Sequence, residues 1–178
     1  TADITMQASL TGHLVFSTLH ANDAVGAVPR LVDLGVKPTT ISSAVSLVIA
    51  QRLVRRLCSE CKKAINPDSG LKSNIENFLK KLPGRIDKAP YAKFAAYEPV
   101  GCVKCNNFGY KGRVVIFEFM ESKPEFEEAV LKDASRVSLK ELARKQGMVT
   151  MQEDGILKVL EGATTFNEVE SATGPIEW

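Results

Sequence analysis

The feature that most constrains this chain is the placement of its cysteines. All four lie in two Cys-X-X-Cys pairs, Cys58 with Cys61 and Cys102 with Cys105, and forty residues separate the pairs. This spacing lets both thiolates of a pair turn onto one tetrahedral metal ion, and two pairs complete a closed site. A disulfide framework is the alternative, and a redox-active dithiol would explain one pair but not two. We therefore predict structural zinc, Zn²⁺, held by the four cysteines.

The residues between the pairs are expected to form a small module of their own. Gly101 and Gly109 flank the second pair and suit the tight turns of a zinc knuckle. Residues 71–82 have the apolar periodicity of a helix. Three aromatic side chains are expected to pack a small core around the metal: Tyr91, Phe94 and Tyr97. Four basic side chains form either a docking surface for an acidic partner or an ordinary solvated face: Lys80, Lys81, Arg85 and Lys88.

The second informative stretch is Thr11–Asn22, which reads TGHLVFSTLHAN. Its middle, residues 14–19, is short, apolar and partly β-branched or aromatic, which predicts a strand buried on both faces. His13 and His20, the two histidines of the chain, lie at its ends. Because ligands of open α/β sheets bind outside strand ends, this is a candidate ligand site. The alternative is that both histidines are ordinary polar residues whose hydrogen bonds are satisfied there.

Three helices are predicted before residue 50. The first covers residues 2–10, and its inward face is expected to include Ile4, Ala8 and Leu10. The second ends near Leu34, and Pro29 inside it predicts a kink or a later start. The third begins near Pro38 and includes Val48.

Two strands are predicted to flank the cysteine insert. Residues 113–119, RVVIFEF, have high β-propensity, and residues 51–57 form a strand that carries three arginines: Arg52, Arg55 and Arg56. If the two strands pair, the module is a loop extruded between neighbouring strands, and the metal closes its neck. The order helix, strand, helix, helix, strand is that of part of an α/β sheet.

Four helices are predicted after residue 121. Four Ser/Thr-X-X-Glu sequences match the capping box: Ser122…Glu125, Ser138…Glu141, Thr150…Glu153 and Thr165…Glu168. Glycines fall where these helices should stop: Gly147, Gly162 and Gly174. We expect an acidic C-terminal helical bundle that serves packing or subunit contact.

Charge and missing motifs narrow the function. The chain has 23 basic and 21 acidic residues, but residues 58–105 hold nine against five and residues 121–178 hold seven against twelve. A modest basic patch in residues 58–105, followed by an acidic region in residues 121–178, favours a protein of two modules over a nucleic-acid-binding protein. No apolar run is as long as a membrane span and no signal peptide is evident, so we expect a soluble, cytoplasmic protein. The abrupt start inside a helix-like segment suggests a piece of a longer chain.

The sequence contains no GxxxxGK[ST] phosphate loop, no GxGxxG motif and no carboxylate pair near the histidines. A catalytic Cys-His pair is also missing, because the cysteines are assigned to the metal. The spacing of residues and motifs alone therefore indicates no more than half of an α/β domain that binds a nucleotide or another ligand, together with a zinc site.

Four stretches agree in order and spacing with one known family. They read TADITMQASLTGHLVFSTLHANDAVGAVPRLVDLGV, ISSAVSLVIAQRLVRRLC, NFGYKGRVVIFEF and GMVTMQEDGILKVLEGATTFNEV. Together they resemble the C-terminal portion of the secretion ATPases of type II secretion and type IV pilus assembly. By this resemblance residues 11–22 are the family's histidine box, and the paired CxxC marks the assembly-type (extension) members, whereas retraction-type relatives lack the zinc module.

The resemblance implies a RecA-like P-loop ATPase core that works as a hexameric ring. Residues 1–57 and 111–120 would be its later strands and helices, residues 58–110 the tetracysteine zinc module, and residues 121–178 a C-terminal helical subdomain. The implied activity is hydrolysis of ATP, with Mg²⁺, to drive pilus or pseudopilus assembly in type IV pilus biogenesis or type II secretion. Without the upstream phosphate loop, this stretch alone is expected to be inactive.

The resemblance also implies roles for single residues. His20 would face the γ-phosphate as donor and sensor, and Thr18 would orient the attacking water or His20. His13 is a candidate for a structural or interface role. Arg52 and Arg55 are candidates for contact with nucleotide or with a neighbouring subunit; the alternative is that the arginines of this strand, Arg56 included, are only charges at the edge of the sheet.

The implied partners are further copies of the chain in a homohexamer, an inner-membrane platform protein, and other secretion or pilus assembly components. The protein would be cytoplasmic and peripheral to the inner membrane, without insertion and without nucleic acid. Two alternatives stay open: a zinc-containing nucleic-acid-binding module, and a non-catalytic adaptor that docks on a membrane platform protein.

Overall fold

The computed structural model describes residues 2–92 and 94–178, which form two compact units. The first unit contains the described residues up to Ala50 together with Glu118–Met148, and the second contains Gln51–Phe117 together with Val149–Trp178. The helices are α1 (Ala2–Leu10), α2 (Ala27–Asp33), α3 (Pro38–Ala44), α4 (Ser69–Lys81), α5 (Pro124–Lys132), α6 (Arg136–Lys145), α7 (Met151–Leu160) and α8 (Phe166–Thr173). The strands are β1 (Leu47–Leu57), β2 (Lys63–Ile65), β3 (Ala96–Glu98) and β4 (Tyr110–Glu121). The units differ from the four consecutive segments expected from the sequence, because β1 and β4 each contribute residues to both units.

The first unit is built around the packing of α3 on α5. Its core includes Val28 of α2, Ile41 of α3, Phe126 of α5 and Leu139 of α6, and none of these is more than 1% exposed. Full burial of one such side chain stabilises the fold by about 1.5–3 kcal/mol. The apolar faces of four helices therefore form the centre of this core, and Met120 of β4 adds to it.

The second unit packs α4 of the cysteine insert against α7. Ile75 and Phe78 of α4 and Ile156 of α7 are buried in one cluster. Tyr91 and Phe94 pack against this helical cluster, so the aromatic core expected around the metal is wrong for these two side chains. The predicted helix of the insert is confirmed as α4, since its apolar face faces this cluster.

The predicted pairing of the two strands that flank the insert is confirmed. β1 pairs with β4, and β2 pairs with β3 in an antiparallel ladder within the insert. Backbone bonds of 3.0 Å run from the Ser122 N–H to the Ser46 carbonyl and from the Cys58 N–H to the Gly109 carbonyl. The start of each strand thus lies beside the end of the other, so β1 and β4 are antiparallel.

The stretch between α1 and α2 is not a strand, contrary to the sequence prediction. Residues 13–20 have no regular secondary structure, and Leu14 and Phe16 are 85% and 89% exposed. An extended segment satisfies its backbone as a strand only beside a partner. The sheets of the described residues are β1 with β4 and β2 with β3, and neither includes this segment. Leu19 nevertheless packs against the core of the first unit.

The first helix has the predicted length but a different buried face. Ile4 is 74% exposed and Leu10 is also exposed, so the expected inward face is wrong for both. Ala2 and Met6 pack on the core instead. Ala2 and Met6 lie four residues apart on the side of the helix that packs, and Ile4 lies on the opposite side. Leu10 continues the side of Ala2 and Met6 but is the last residue of the helix and is exposed.

The next two helices show the effect of proline and of β-propensity. α2 begins at Ala27, which confirms the later start and places Pro29 in the first turn, where no intrahelical N–H bond is needed. α3 begins at Pro38 but ends at Ala44, so Val48 belongs to β1 and its predicted helical state is wrong. The run LVIA favours extended structure, which explains the early start of β1.

All four predicted C-terminal helices are present, but their caps differ from the prediction. Gly147, Gly162 and Gly174 have φ values of 75°, 71° and 91° beyond the helix ends, as expected. Of the four predicted capping boxes, Thr150…Glu153 is formed: the Glu153 N–H donates to Thr150 Oγ1 (3.2 Å) and the Thr150 N–H donates to the Glu153 carboxylate (2.8 Å). The other three helices have N-caps without a capping box.

The four helices do not form one bundle. α5 packs on both α3 and α6 in the first unit, whereas α7 and α8 pack on each other in the second. Gly155 allows this second contact, since a Cβ there would lie 2.8 Å from Val169 Cγ1. Within residues 2–92 and 94–178, no helix combines the length and the hydropathy that a membrane span requires.

We expect the Thr150→Ala substitution to lower the free energy of unfolding by about 1 kcal/mol, because the Glu153 N–H loses its acceptor. Ser122→Ala is the matched control, since the N-cap of α5 is Lys123 and no side chain caps that helix; its expected effect is under about 0.5 kcal/mol. Urea unfolding followed by circular dichroism measures both. Equal losses in the two variants would contradict the assigned cap.

Candidate functional site

The four cysteine sulfurs lie together in the second unit. Cys58 directly follows β1, and Cys102 precedes the short 3-10 turn Val103–Cys105 that leads to β4. All four Sγ atoms lie within 4.8 Å of one another. The separations are 3.7 Å between Cys102 and Cys105, 3.8 Å between Cys61 and Cys105, and 4.0 Å between Cys58 and Cys102. The structure thus brings together the four ligands that the sequence predicts.

These distances fit one tetrahedral metal ion and do not fit disulfides. A Zn–S bond of about 2.3 Å in a regular tetrahedron places the sulfurs about 3.8 Å apart. A disulfide would need sulfurs about 2.05 Å apart, and all four cysteines are free. Four thiolates in this arrangement are the donor set of structural zinc and of iron–sulfur sites.

Backbone N–H groups converge on the sulfur of Cys105. Those of Cys102 and Gly109 each donate to it at 3.2 Å. Burial opposes ionisation of the Cys105 thiol, but these N–H groups outweigh it and lower its pKa to about 7. Partial burial raises the pKa of the Cys61 thiol to about 11. The N–H donors therefore favour at Cys105 the thiolate form, which is the form that binds metal.

Glycine is required on both sides of the second pair. Gly101 has a φ of 108°, and a Cβ there would lie 2.7 Å from the Asn107 carbonyl oxygen. Gly109 has a φ of 74°, and a Cβ there would lie 2.4 Å from Pro99 Cβ. Asn106 and Asn107 also have positive φ, a region that Asn tolerates better than most residues. The tight turns predicted from the two glycines are present.

The two histidines lie in the first unit, on either side of the irregular segment. His13 Nδ1 is 3.1 Å from Thr11 Oγ1, and the Thr11 hydroxyl donates to the Ala8 carbonyl at 2.8 Å. His13 therefore belongs to the turn that ends α1. His20 and Thr18 are exposed, so both side chains are accessible to a ligand in this chain.

Of the arginines of β1, Arg55 is engaged within the second unit. Its guanidinium pairs with the Glu168 carboxylate and lies 4.3 Å from the centroid of the Tyr110 ring. Its backbone N–H also donates to Glu168, at 2.9 Å. The hydrogen bond from Arg55 lowers the pKa of Glu168, and the same bond raises the pKa of Arg55. Arg52 is exposed, and Arg56 Nε donates to the Lys111 carbonyl.

Glu168 and Tyr110 have roles that sequence reasoning missed. Glu168 was expected to complete a capping box with Thr165, but its carboxylate binds Arg55, 113 residues away. The Thr165 hydroxyl lies 3.0 Å from the Tyr110 hydroxyl instead. No local pattern in the sequence signals a partner at such a distance.

Comparison with known proteins shows which protein family the chain resembles. The model of the type II/IV secretion system protein family matches residues 1–171. The chain belongs to this family. Among the relatives of this secretion-family chain, the type IV pilus assembly ATPase PilB of Myxococcus xanthus is 43% identical over 98% of the chain and 30% of the relative. PilB of Thermus thermophilus is 42% identical over 97% of the chain and 18% of the relative. The type II secretion system ATPase E of Vibrio cholerae is 40% identical over 97% of the chain and 32% of the relative.

The secretion-family chain thus spans less than a third of the length of these three relatives. Its fold is also similar to that of the Legionella pneumophila ATPase DotB, whose X-ray structure aligns with a TM-score of 0.55 at 19% identity. That alignment covers 93% of this chain and 33% of DotB. The likeness supports a mixed α/β fold shared with part of an ATPase.

We expect the purified chain to hold one metal ion after zinc loading, and Cys102→Ser to lose tight binding because one of four thiolates is removed. Glu60→Gln is the control: Glu60 lies between Cys58 and Cys61 and pairs with Lys104 at 3.1 Å, but it is not part of the sulfur cluster. Metal content after dialysis is measured by mass spectrometry. Full retention by Cys102→Ser, or equal loss in Glu60→Gln, would show that the thiolates are not the ligands.

The Arg55–Glu168 pair predicts a dependence of stability on pH. The folded-state pKa of Glu168 lies below its unfolded value, so the stabilisation is complete above about pH 4.3 and is lost as the pH falls through the folded-state pKa. Because Arg55 is more than half exposed, we expect Glu168→Gln to cost only about 1 kcal/mol of unfolding free energy at pH 7.

Urea unfolding of the wild type and of Glu168→Gln between pH 2 and pH 7 measures this difference, which should vanish in acid. Glu76→Gln, an exposed glutamate of α4, is the control and should match the wild type throughout. A Glu168→Gln deficit that does not change with pH would contradict the assigned ion pair.

Proposed function

We propose that this chain is the C-terminal portion of an ATPase that drives pilus or pseudopilus assembly, in type IV pilus biogenesis or in type II protein secretion. The observation that carries the proposal is 38–43% identity, over 95–98% of the chain, to proteins named type IV pilus assembly ATPases and type II secretion system proteins. ATP, bound with Mg²⁺, is the substrate of the whole protein. The 178 residues contain no GxxxxGK[ST] sequence, so we expect hydrolysis from the whole protein rather than from this chain alone.

In this proposal residues 1–57 and 111–120 contribute to a RecA-like core, and six copies form a ring. The fold likeness to the ATPase DotB supports the α/β assignment. The exposed apolar side chains Leu14 and Phe16 support an additional contact for the histidine segment in the whole protein, because large apolar side chains are rarely left this exposed together.

His20 is the residue we propose for contact with the γ-phosphate. An imidazole N–H aimed at a phosphoryl oxygen stabilises the negative charge that shifts during transfer. Thr18 lies two residues before His20, and both side chains are exposed, so both are available to one ligand. Loss of the phosphate after hydrolysis removes the partner of His20. The residues between His20 and α2 can then change conformation.

His13, Arg52 and Arg55 are proposed to contact nucleotide or a neighbouring subunit. Arg52 is exposed and has the clearest access. The Arg55 guanidinium is already bound by Glu168, so a contact by Arg55 would have to share that carboxylate. His13 is held beside Thr11 at the end of α1, which favours a role in shaping the segment.

We further propose that the four cysteines hold Zn²⁺ in a structural site. The sulfur-only donor set and the absence of an open ligand position suit zinc that supports folding rather than catalysis. Zinc bound there would join the Cys58–Cys61 pair, which follows β1, to the Cys102–Cys105 pair, which precedes β4.

The partners we propose are a homohexameric ring, an inner-membrane platform protein, and further secretion or pilus assembly components, with the protein at the cytoplasmic face of that membrane. Val103 and Phe108, which lie beside the Cys102–Cys105 pair, are largely exposed. Apolar side chains in that position support a protein partner over nucleic acid, whose interfaces are strongly basic.

Steady-state ATP hydrolysis by the full-length protein tests the proposal. We expect His20→Ala to lower kcat by about 10²-fold, as removal of a transition-state donor does, with folding, ring formation and metal content unchanged. Ser17→Ala, in the same exposed segment, is the control and should turn over like the wild type. Wild-type turnover by His20→Ala would refute the assignment of the site, and a folded, zinc-loaded ring without ATPase activity would refute the proposed function.

A further inference from the structure

Glu118 of β4 is a buried carboxylate to which neither the sequence pattern nor the proposed site gives a role. It is only 4% exposed, and its Oε1 accepts the N–H of Ala24 at 2.5 Å. Ala24 is itself fully buried and lies four residues after His20. A carboxylate is costly to bury unless it is hydrogen-bonded. The bond therefore fixes one point of the backbone between the histidine segment and α2.

The neighbouring residue fixes the same turn from another direction. Asp23 Oδ1 accepts the N–H of Gly26 at 2.8 Å, and Asp23 Oδ2 pairs with Arg136, the first residue of α6. Residues 13–20, in contrast, have no regular structure. The first well-held point after His20 is thus the turn that Glu118 and Asp23 anchor.

We propose that Glu118 is a positioning residue for His20. The inference rests on the proposed function, in which His20 meets the γ-phosphate. By fixing the Ala24 N–H, Glu118 sets where the histidine segment leaves the core, and hence how far His20 reaches. Catalytic geometry is sensitive to such placement, since a displacement of about 1 Å can cost about 10²-fold in rate.

ATP hydrolysis by the full-length protein tests the inference. We expect Glu118→Ala to lower kcat by about 10- to 10²-fold with an unchanged KM for ATP, because placement changes and nucleotide binding does not. Glu118→Gln should recover most of the rate, since its side-chain oxygen can accept the same N–H. Glu121→Ala is the matched control: this glutamate also lies on β4, but it is exposed and pairs with Lys123, so wild-type kcat is expected.

A double-mutant cycle separates positioning from general destabilisation. If Glu118 acts through His20, the Glu118→Ala/His20→Ala variant should have the kcat of His20→Ala alone. Losses that multiply would overturn the inference, as would a Glu118→Ala enzyme with wild-type kcat. Should Glu118→Ala fail to fold, Glu118→Asp, which withdraws the carboxylate by one methylene, carries the same cycle. If His20→Ala has wild-type turnover, the proposed site fails, whereas an impaired His20→Ala whose loss multiplies with that of Glu118 refutes only the positioning role.

Discussion

The pairing of β1 with β4, closed by four cysteines at its end, is the constraint on which the second unit depends. The Cys58 N–H bonds to the Gly109 carbonyl, so the ladder continues to the first sulfur ligand and the insert leaves and returns at one place. Closing so long an insert costs entropy. A metal bound by all four thiolates would offset that cost, since structural zinc sites contribute an apparent 10–16 kcal/mol, about as much as a small domain's whole stability.

Local signals predicted much of this fold. The spacing of the cysteines predicted the sulfur cluster, because four thiolates at that spacing have few other uses. The glycines that stop helices after residue 145 have the expected positive φ, and α7 begins after Thr150 with the predicted capping box. Each of these features depends on a few neighbouring residues, and so it can be read from sequence.

Features that depend on distant partners could not be predicted. The run of residues 14–19 has the composition of a buried strand, but a strand also needs a neighbour, and none of the described strands lies against it. Likewise, Arg55 meets Glu168 and Ala24 meets Glu118 across 113 and 94 residues. The C-terminal helices were placed correctly along the chain, yet their division into two pairs follows from contacts with α3 and with the α4 cluster. Of the candidate site, therefore, the clustering of the four cysteines was predictable from sequence, and the anchoring of the histidine segment was not.

One metal ion bound by all four cysteines is the claim on which the second unit rests, and X-ray absorption at the zinc K-edge of the zinc-loaded chain tests it most directly. Four sulfur atoms at about 2.3 Å, with no oxygen or nitrogen neighbour, is the predicted result. A first shell of fewer than four sulfurs, completed by lighter atoms, would contradict it. The two cysteine pairs would then not be joined through one ion, and another interaction would have to hold the two ends of the insert together.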